Sequence, residues 1–124
     1  MKFFADTFAL IEYLKDNPSY VPYFEKHEII TSKLNLMELY YSSLKEVSEE
    51  LAERHYNAFL PRTVDITDAH FKSAAKMRLK QKENNLSYVD CTGYSIAQEN
   101  NIKFLTGDKQ FKGMKNVEWI GKAI

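Results

Sequence analysis

The sequence of 124 residues contains a single cysteine, three prolines and four glycines. One cysteine excludes a disulfide framework and a cysteine-rich zinc site, and it favours a reducing compartment. So few prolines and glycines leave no flexible linker or low-complexity segment. No apolar run approaches the roughly 18 residues that a membrane-spanning helix needs. Asp6 stands where a secretory signal requires apolar residues. We therefore expect a cytoplasmic protein without a membrane segment.

The formal net charge is zero, because 17 Lys and Arg residues balance 17 Asp and Glu residues. The composition is 44% hydrophobic and 14% aromatic, which predicts a folded core. The length suits one domain, which we place at residues 1–124. Charge is unevenly distributed: residues 1–60 carry six basic and ten acidic side chains, and residues 61–124 carry eleven and seven. The basic run between Lys72 and Lys82 indicates either a solvated helix face or a contact for a polyanion.

Short apolar runs alternate with helical patterns along the chain. Strands are predicted at 3–5, 28–31, 63–66, 103–105 and 117–120, and helices at 7–15, 18–25, 32–45, 48–60, 67–84 and 87–100. Strands joined by helices predict an α/β fold, here a three-layer α/β/α arrangement around a mostly parallel sheet of about five strands. In such a sheet the functional groups gather at the carboxyl ends of the strands, where helices begin.

Four acidic residues fall at this predicted edge, each at the end of a strand or in the first turns of the following helix. They are Asp6, Glu38, Asp90 and Asp108. Each also has a local alternative as a helix cap, a capping-box partner or a turn residue. Converging carboxylates would repel one another and raise each other's pKa unless a cation intervened. An all-oxygen set suits a hard ion, Mg²⁺ or Mn²⁺, rather than zinc.

The segments that contain these acids resemble the PIN domain family. The matching segments are Phe4–Leu14 (FADTFALIEYL), Asn35–Tyr41 (NLMELYY), Leu86–Ala97 (LSYVDCTGYSIA) and Phe104–Phe111 (FLTGDKQF). Their order and spacing agree with the family from Lys2 to Trp119, and the compact chain is similar to the VapC-type toxins of prokaryotic toxin–antitoxin pairs. The resemblance implies a PIN-like fold, an RNA substrate, a cognate antitoxin and metal-dependent ribonuclease activity.

The resemblance also implies a role for particular residues. Asp6, Glu38, Asp90 and Asp108 match the acidic quartet of the family, and Thr7 and Thr106 match supporting hydroxyl positions. This set of acids suits phosphodiester hydrolysis, because a metal ion bound by them would make a water nucleophile at neutral pH and neutralise the charge that develops on the phosphoryl oxygens. We expect Asp6 and Asp90 as metal ligands, Glu38 to hold the ion or orient water, and Asp108 to serve a second ion or act through water. Some relatives carry a further acid where Tyr94 stands, so one ion is implied more strongly than two.

A nuclease also needs basic residues that hold phosphates outside the acidic site. Lys72, Lys76 and Lys80 recur every four residues and predict one ridge of a helix, which contacts RNA or is simply solvated. Lys109 and Lys112 follow Asp108 and are predicted to lie nearer the chemistry.

The first half of the chain is rich in aromatic residues, which either pack in the core or form an interface. As an interface, these helices predict a homodimer, and Phe8–Leu14 with Met37–Leu44 predict a groove for an amphipathic antitoxin helix.

Other residue types offer little alternative chemistry. His27, His55 and His70 have no paired metal-ligand spacing, and Cys91 lacks a matched histidine motif, so we interpret all four as structural. Three other functions stay open. They are a PIN-like binding or scaffold module without catalysis, a phosphorelay receiver-like domain, for which Asp65 ends a predicted strand, and a DNA flap or repair nuclease on the same fold.

Overall fold

The structure is a computed structural model, and it describes residues 1–121. Four strands form one sheet: β1 (Lys2–Ala5), β2 (Glu28–Ile30), β3 (Lys103–Thr106) and β4 (Val117–Trp119). Six α-helices accompany them: α1 (Thr7–Leu14), α2 (Val21–Lys26), α3 (Lys33–Glu46), α4 (Glu49–Phe59), α5 (Asp68–Lys80) and α6 (Tyr88–Glu99). No helix among residues 1–121 is both long and apolar enough to cross a bilayer.

The sheet is fully parallel, with the strand order β2-β1-β3-β4. The chain first moves from β1 to β2 on one side and later returns to β3 on the other side of β1. The topology therefore switches direction at β1, and a crevice is expected beyond the carboxyl ends of β1 and β3. This confirms the predicted α/β class with a parallel central sheet.

Three local predictions differ from the structure. The segment 63–66 makes only an isolated bridge between Thr31 and Thr63 and is not a strand, so the sheet has four strands among the described residues, close to the expected number. The second helix begins at Val21 rather than at Pro18, with a proline in its first turn. Helix α5 ends at Lys80 rather than near 84, because residues 82–84 form a separate 3₁₀ turn. The left-handed Asn85 (φ 57°) ends that turn.

The core has two layers because side chains alternate across each strand. Phe3 and Leu105 face a cluster that includes residues of α1–α4, whereas Phe4 and Phe104 face a second cluster that includes residues of α5 and α6. Helices therefore cover both faces of the sheet, as predicted. Gly93 of α6 lies directly over the second layer, where an added Cβ would stand 2.7 Å from the Phe4 ring. Close packing of this helix on the aromatic rings explains the glycine in its interior.

The two helices of the second layer are antiparallel, and this orients the basic residues of α5. At one end, His70 of α5 lies 2.9 Å from Glu99, the last residue of α6. At the other end, the Arg78 guanidinium lies 4.2 Å from the ring centroid of Tyr88, the first residue of α6. The carboxyl end of α5 therefore lies beside the amino end of α6, at the same edge as the carboxyl ends of the strands.

Candidate active site

Asp6 joins β1 to α1 and is 4% exposed. Its backbone amide donates to the Leu105 carbonyl (3.2 Å), and its Oδ1 accepts the Ala9 amide (2.9 Å), so it caps α1 as the local alternative predicted. Its Oδ2 accepts the hydroxyl of Thr106. Burial raises the pKa of Asp6 to about 8, against the two hydrogen bonds that lower it and with a smaller contribution from other carboxylates. A neutral carboxyl group is therefore favoured at neutral pH without a cation.

Thr106 connects Asp6 to Asp108. The buried Thr106 hydroxyl donates to Asp6 and accepts the backbone amide of Asp108 at 3.0 Å. The Asp108 Oδ1 in turn accepts the Gln110 amide at 3.0 Å and begins a short 3₁₀ turn. The hydroxyl position predicted from the sequence therefore lies between two of the four acids.

Asp90 lies in the first turn of α6. Its Oδ2 accepts the Ser87 amide, and its own amide donates to the Ser87 hydroxyl, both at 3.0 Å, which completes a capping box. Burial raises the pKa of Asp90, its hydrogen bonds to Ser87 oppose the rise, and the negative charge of Asp108 adds to it. Asp90 thus performs a capping function and also belongs to a group of interacting carboxylates.

Glu38 does not cap a helix. Ser32 is the N-cap of α3 and accepts the Asn35 amide, so Glu38 lies further along the helix than the capping-box alternative requires. Instead, the Thr7 hydroxyl donates to Glu38 Oε1 at 2.5 Å. Burial raises the pKa of Glu38, the Thr7 hydrogen bond lowers it, and the charge of Asp90 raises it further.

Asn35 is a residue of this site that the sequence analysis did not single out. It is buried, it accepts the Ser32 hydroxyl at 2.6 Å, and its amide nitrogen donates to Thr7 at 3.2 Å. Asn35, Thr7 and Glu38 therefore form one chain of hydrogen bonds between α3 and α1. The only sequence signal was its place at the start of the segment that contains Glu38.

The four acids influence one another electrostatically. Asp6 senses Asp90 and Asp108, and Glu38 senses Asp90. None of the four forms an ion pair with a Lys, Arg or His of residues 1–121. Yet no three Asp, Glu, His or Cys side chains in that range are already gathered as a metal cage. The donor set and its uncompensated charge fit a hard divalent cation, and binding one requires the carboxylates to draw closer.

The predicted basic residues fall into two groups. Lys76 and Lys80 line a groove between α5 and α6 together with Ser73, Ser95 and Gln98, whereas Lys72 is exposed on α5 outside it. Lys109 follows Asp108 directly, and the Lys112 ammonium lies 4.8 Å from the Trp119 ring centroid.

The remaining candidates have structural contacts. The three histidines contact different partners: His27 the amino terminus, His55 the hydroxyl of Ser43, and His70 the capping box of α5. Cys91 is buried in the second core layer, where burial raises the pKa of its thiol to about 11. Tyr94, which stands where some relatives have an acid, donates its hydroxyl to the Lys115 carbonyl. Asp65 is exposed and follows no strand, which removes the feature that favoured a receiver-like domain.

The model of the PIN domain family matches residues 3–117, and the chain belongs to this family. Solved structures support the same fold. VapBC2 from Rickettsia felis, bound to a promoter DNA fragment, aligns with a TM-score of 0.75 and 22% identity over 98% of both chains. VapC20 from Mycobacterium tuberculosis, described as a toxin that cleaves the sarcin–ricin loop, aligns with 0.79 and 18% identity over 94% of this chain and 97% of that one. PAE2754 from Pyrobaculum aerophilum aligns with 0.66 and 17% identity over 95% and 91%. No curated protein matches the sequence.

Proposed function

We propose that the chain is a metal-dependent endoribonuclease and the toxin of a toxin–antitoxin pair, acting in the cytoplasm. The observation that carries the proposal is the set of four acids at one edge of the sheet, none of which is ion-paired among residues 1–121. Excess negative charge of this kind favours a divalent cation and, with it, phosphodiester chemistry. Membership of the PIN family and the likeness in fold to a toxin described as cleaving the sarcin–ricin loop support RNA as the substrate.

In this proposal Asp6 and Asp90 hold Mg²⁺ or Mn²⁺, Glu38 holds the ion or orients water, and Asp108 serves a second ion or acts through water. A bound divalent ion lowers the pKa of water and neutralises charge that develops on the phosphoryl oxygens. Thr7 orients Glu38, and Thr106 orients Asp6. These hydrogen bonds fix the orientation of the two carboxyl groups before any ion binds.

Protonation of Asp6 links ion binding to pH. Its pKa is about 8 in the ion-free protein, so near neutral pH the carboxyl group must release a proton before it binds a cation. Affinity for Mg²⁺ therefore rises with pH until Asp6 is ionised. A structural carboxylate with an ordinary pKa would show no such dependence near neutrality.

The proposal is tested by incubating the protein with single-stranded RNA in Mg²⁺, Mn²⁺ or EDTA. We expect cleavage with either ion, none in EDTA, and none by Asp90→Asn. The matched control is Asp68→Asn, the same change in the first turn of α5, whose amino end lies at the opposite edge of the sheet. Full cleavage in EDTA with cyclic phosphate ends would reject the metal mechanism. Binding of RNA without cleavage in any ion would favour the module without catalysis.

An antitoxin is the proposed protein partner. A groove of about 690 Å³ lies between α1, α3 and α4, and its apolar lining includes Ile11, Leu14, Leu39 and Leu51. An amphipathic helix fits a groove of this kind with its apolar face inward. The groove expected between Phe8–Leu14 and Met37–Leu44 overlaps this one at Ile11, Leu14 and Leu39, whereas Phe8 and Met37 line two other cavities.

A homodimer is a separate part of the proposal. Met37, Tyr41 and Leu44 lie four and then three residues apart on α3 and are 58%, 65% and 42% exposed. A stripe of exposed apolar side chains at helical spacing suits an interface between two copies of the chain.

A further inference from the structure

A cavity of about 510 Å³ adjoins the acidic site. Its lining residues, which we call the aromatic cleft, are Phe8, Gly107, Asp108, Lys109 and Trp119. Phe8 lies two residues beyond Asp6 on α1, Trp119 ends β4, and the other three residues form the loop after β3. The volume is within the range of small-molecule sites, roughly 300–1,000 Å³. Except for Asp108, none of these side chains has a role in holding the metal ion.

The two rings of the cleft are held in place by contacts outside it. The Trp119 indole Nε1 donates to the Asp108 carbonyl at 3.0 Å, which ties the ring to the loop that carries this acid. Phe8 packs on Tyr20, with 6.2 Å between ring centroids. A Cβ at Gly107 would stand 2.4 Å from both Phe8 Cε1 and the Tyr20 hydroxyl, so glycine permits the loop to approach the Phe8 ring. The cleft is therefore an ordered aromatic surface rather than a collapsed loop.

The cleft offers aromatic rings together with two lysines that can contact phosphates, beside the carboxylate of Asp108. Lys109 lines the cleft. The Lys112 ammonium does not line the cleft but lies over one face of the Trp119 ring, 4.8 Å from its centroid. Single-stranded RNA combines the two features that this surface recognises, since bases stack on aromatic side chains while phosphates contact lysines.

We propose that the aromatic cleft is a base-stacking subsite, in which Phe8 and Trp119 hold a nucleobase of the RNA strand next to the phosphate that is cleaved. This inference rests on the proposed nuclease function and adds to it the residues that position the strand. The cleft opens beside Asp108, so a base held there places its neighbouring phosphate toward the acids. Stacking is available to every base, so the subsite contributes affinity and register more than recognition of one base.

Trp119 provides a direct readout, because it is the only tryptophan of the chain. The experiment titrates a single-stranded oligoribonucleotide into the inactive Asp90→Asn protein and follows indole fluorescence. We expect saturable quenching as a base stacks on the ring. The control ligand is an abasic ribose-phosphate oligomer of the same length and charge, which should bind more weakly and leave the fluorescence unchanged. This comparison uses the native cleft, so its result does not depend on a cleft variant folding correctly.

Two variants then separate stacking from structure in the otherwise wild-type enzyme. Phe8→Leu keeps apolar bulk and removes a ring, and loss of one stacking contact should raise KM by about fivefold to a hundredfold with kcat nearly unchanged. Trp119→Phe loses the hydrogen bond to the Asp108 carbonyl but keeps an aromatic ring. Because the ring is what stacks, this variant should retain most of the affinity for RNA. A fall in kcat at constant KM for Phe8→Leu would show a role in supporting Asp6 instead, and would overturn the subsite.

The outcomes distinguish this inference from the proposed function. The abasic oligomer could quench Trp119 as strongly as RNA does while metal-dependent cleavage persists. This result would overturn the subsite and leave the proposed nuclease function intact. Absence of both RNA binding and cleavage would overturn both. Quenching by the cognate antitoxin peptide but not by RNA would show that the cleft receives a protein side chain, and would also reject the inference.

Discussion

Replacement of Asp6 by asparagine should stabilise the ion-free protein at neutral pH and destabilise it in acid. The wild-type carboxyl group has a pKa of about 8 when folded, against 3.8 for an unperturbed aspartate. Between these values the folded state keeps a proton that the unfolded state has released. The free energy of unfolding therefore falls as pH rises through this window. Asparagine does not titrate, so the variant lacks this contribution.

The magnitude follows from the shift. Each pKa unit corresponds to about 1.4 kcal/mol, so Asp6 should cost the wild type about 4 kcal/mol at pH 7 relative to strongly acidic solution. Asparagine can still accept the Ala9 amide, but its amide nitrogen cannot accept the Thr106 hydroxyl. Leaving that buried donor unsatisfied costs about 1–3 kcal/mol at every pH. The two stability curves should therefore cross between about pH 4.5 and pH 6, with the variant more stable above the crossing.

The assay is urea unfolding of both proteins in EDTA at several pH values from 4.5 to 8. Other groups titrate in this range: burial raises the pKa of Asp90 and Glu38 and lowers that of His55. Because both proteins carry them, the difference between the two curves isolates Asp6. Equal slopes in the two proteins would refute the reasoning and show that Asp6 is ionised in the folded state. In a second set of measurements, Mg²⁺ in place of EDTA should stabilise the wild type more than the variant, because Asp6 is a proposed ligand of the ion.

Three further predictions concern other parts of the molecule. Changing Lys76 and Lys80 to Gln should weaken RNA binding by an inactive variant and reduce the slope of log K against log salt by up to about 1.4. The control Lys72→Gln, outside the groove, should change the slope less. An unchanged slope in the double variant would show that these lysines only form a solvated face. In an exposed helix, Gly→Ala stabilises by about 1 kcal/mol. Gly93→Ala should instead lower the urea midpoint, because the added Cβ would stand 2.7 Å from the Phe4 ring. A raised midpoint would contradict the packing of α6 on this ring. Ile11→Arg should abolish inhibition by the cognate antitoxin peptide while RNA cleavage persists, and loss of both would indicate misfolding rather than a blocked groove.

Much of the architecture follows from short-range patterns in the sequence. Helices were predicted to begin at residues 67 and 87, and Thr67 and Ser87 are the N-caps there, each in a capping box. The alternation of apolar runs and helices gave the α/β class because the central strands β1 and β3 bury consecutive residues, which face both sides of the sheet. The predicted strand at 63–66 does not form, because β propensity alone does not supply a pairing partner. Only Thr63 pairs there, with Thr31 just after β2.

The site was predictable only in part. The four acids could be placed at one edge, since each follows a strand or lies in the first turns of a helix. The contacts that orient them could not, because they join distant segments: Thr7 contacts Glu38 across 31 residues, and Thr106 contacts Asp6 across 100. The capping motif was ambiguous as well. Both Ser32 and Asn35 are good N-cap residues, and the structure places the helix start at Ser32.

The conflict between capping and function is resolved differently for each acid. Asp6, Asp90 and Asp108 all accept backbone amides at the start of a helix or turn, so local structure alone would account for their presence. Local structure does not account for Glu38, which lies beyond the first turn of α3 and is held by Thr7 from another helix. Its partly buried carboxylate carries a raised pKa among residues of the same charge, an arrangement that costs stability without a cation. Glu38 is therefore the strongest single support for the proposal that the acids form one site rather than a coincidence of helix caps.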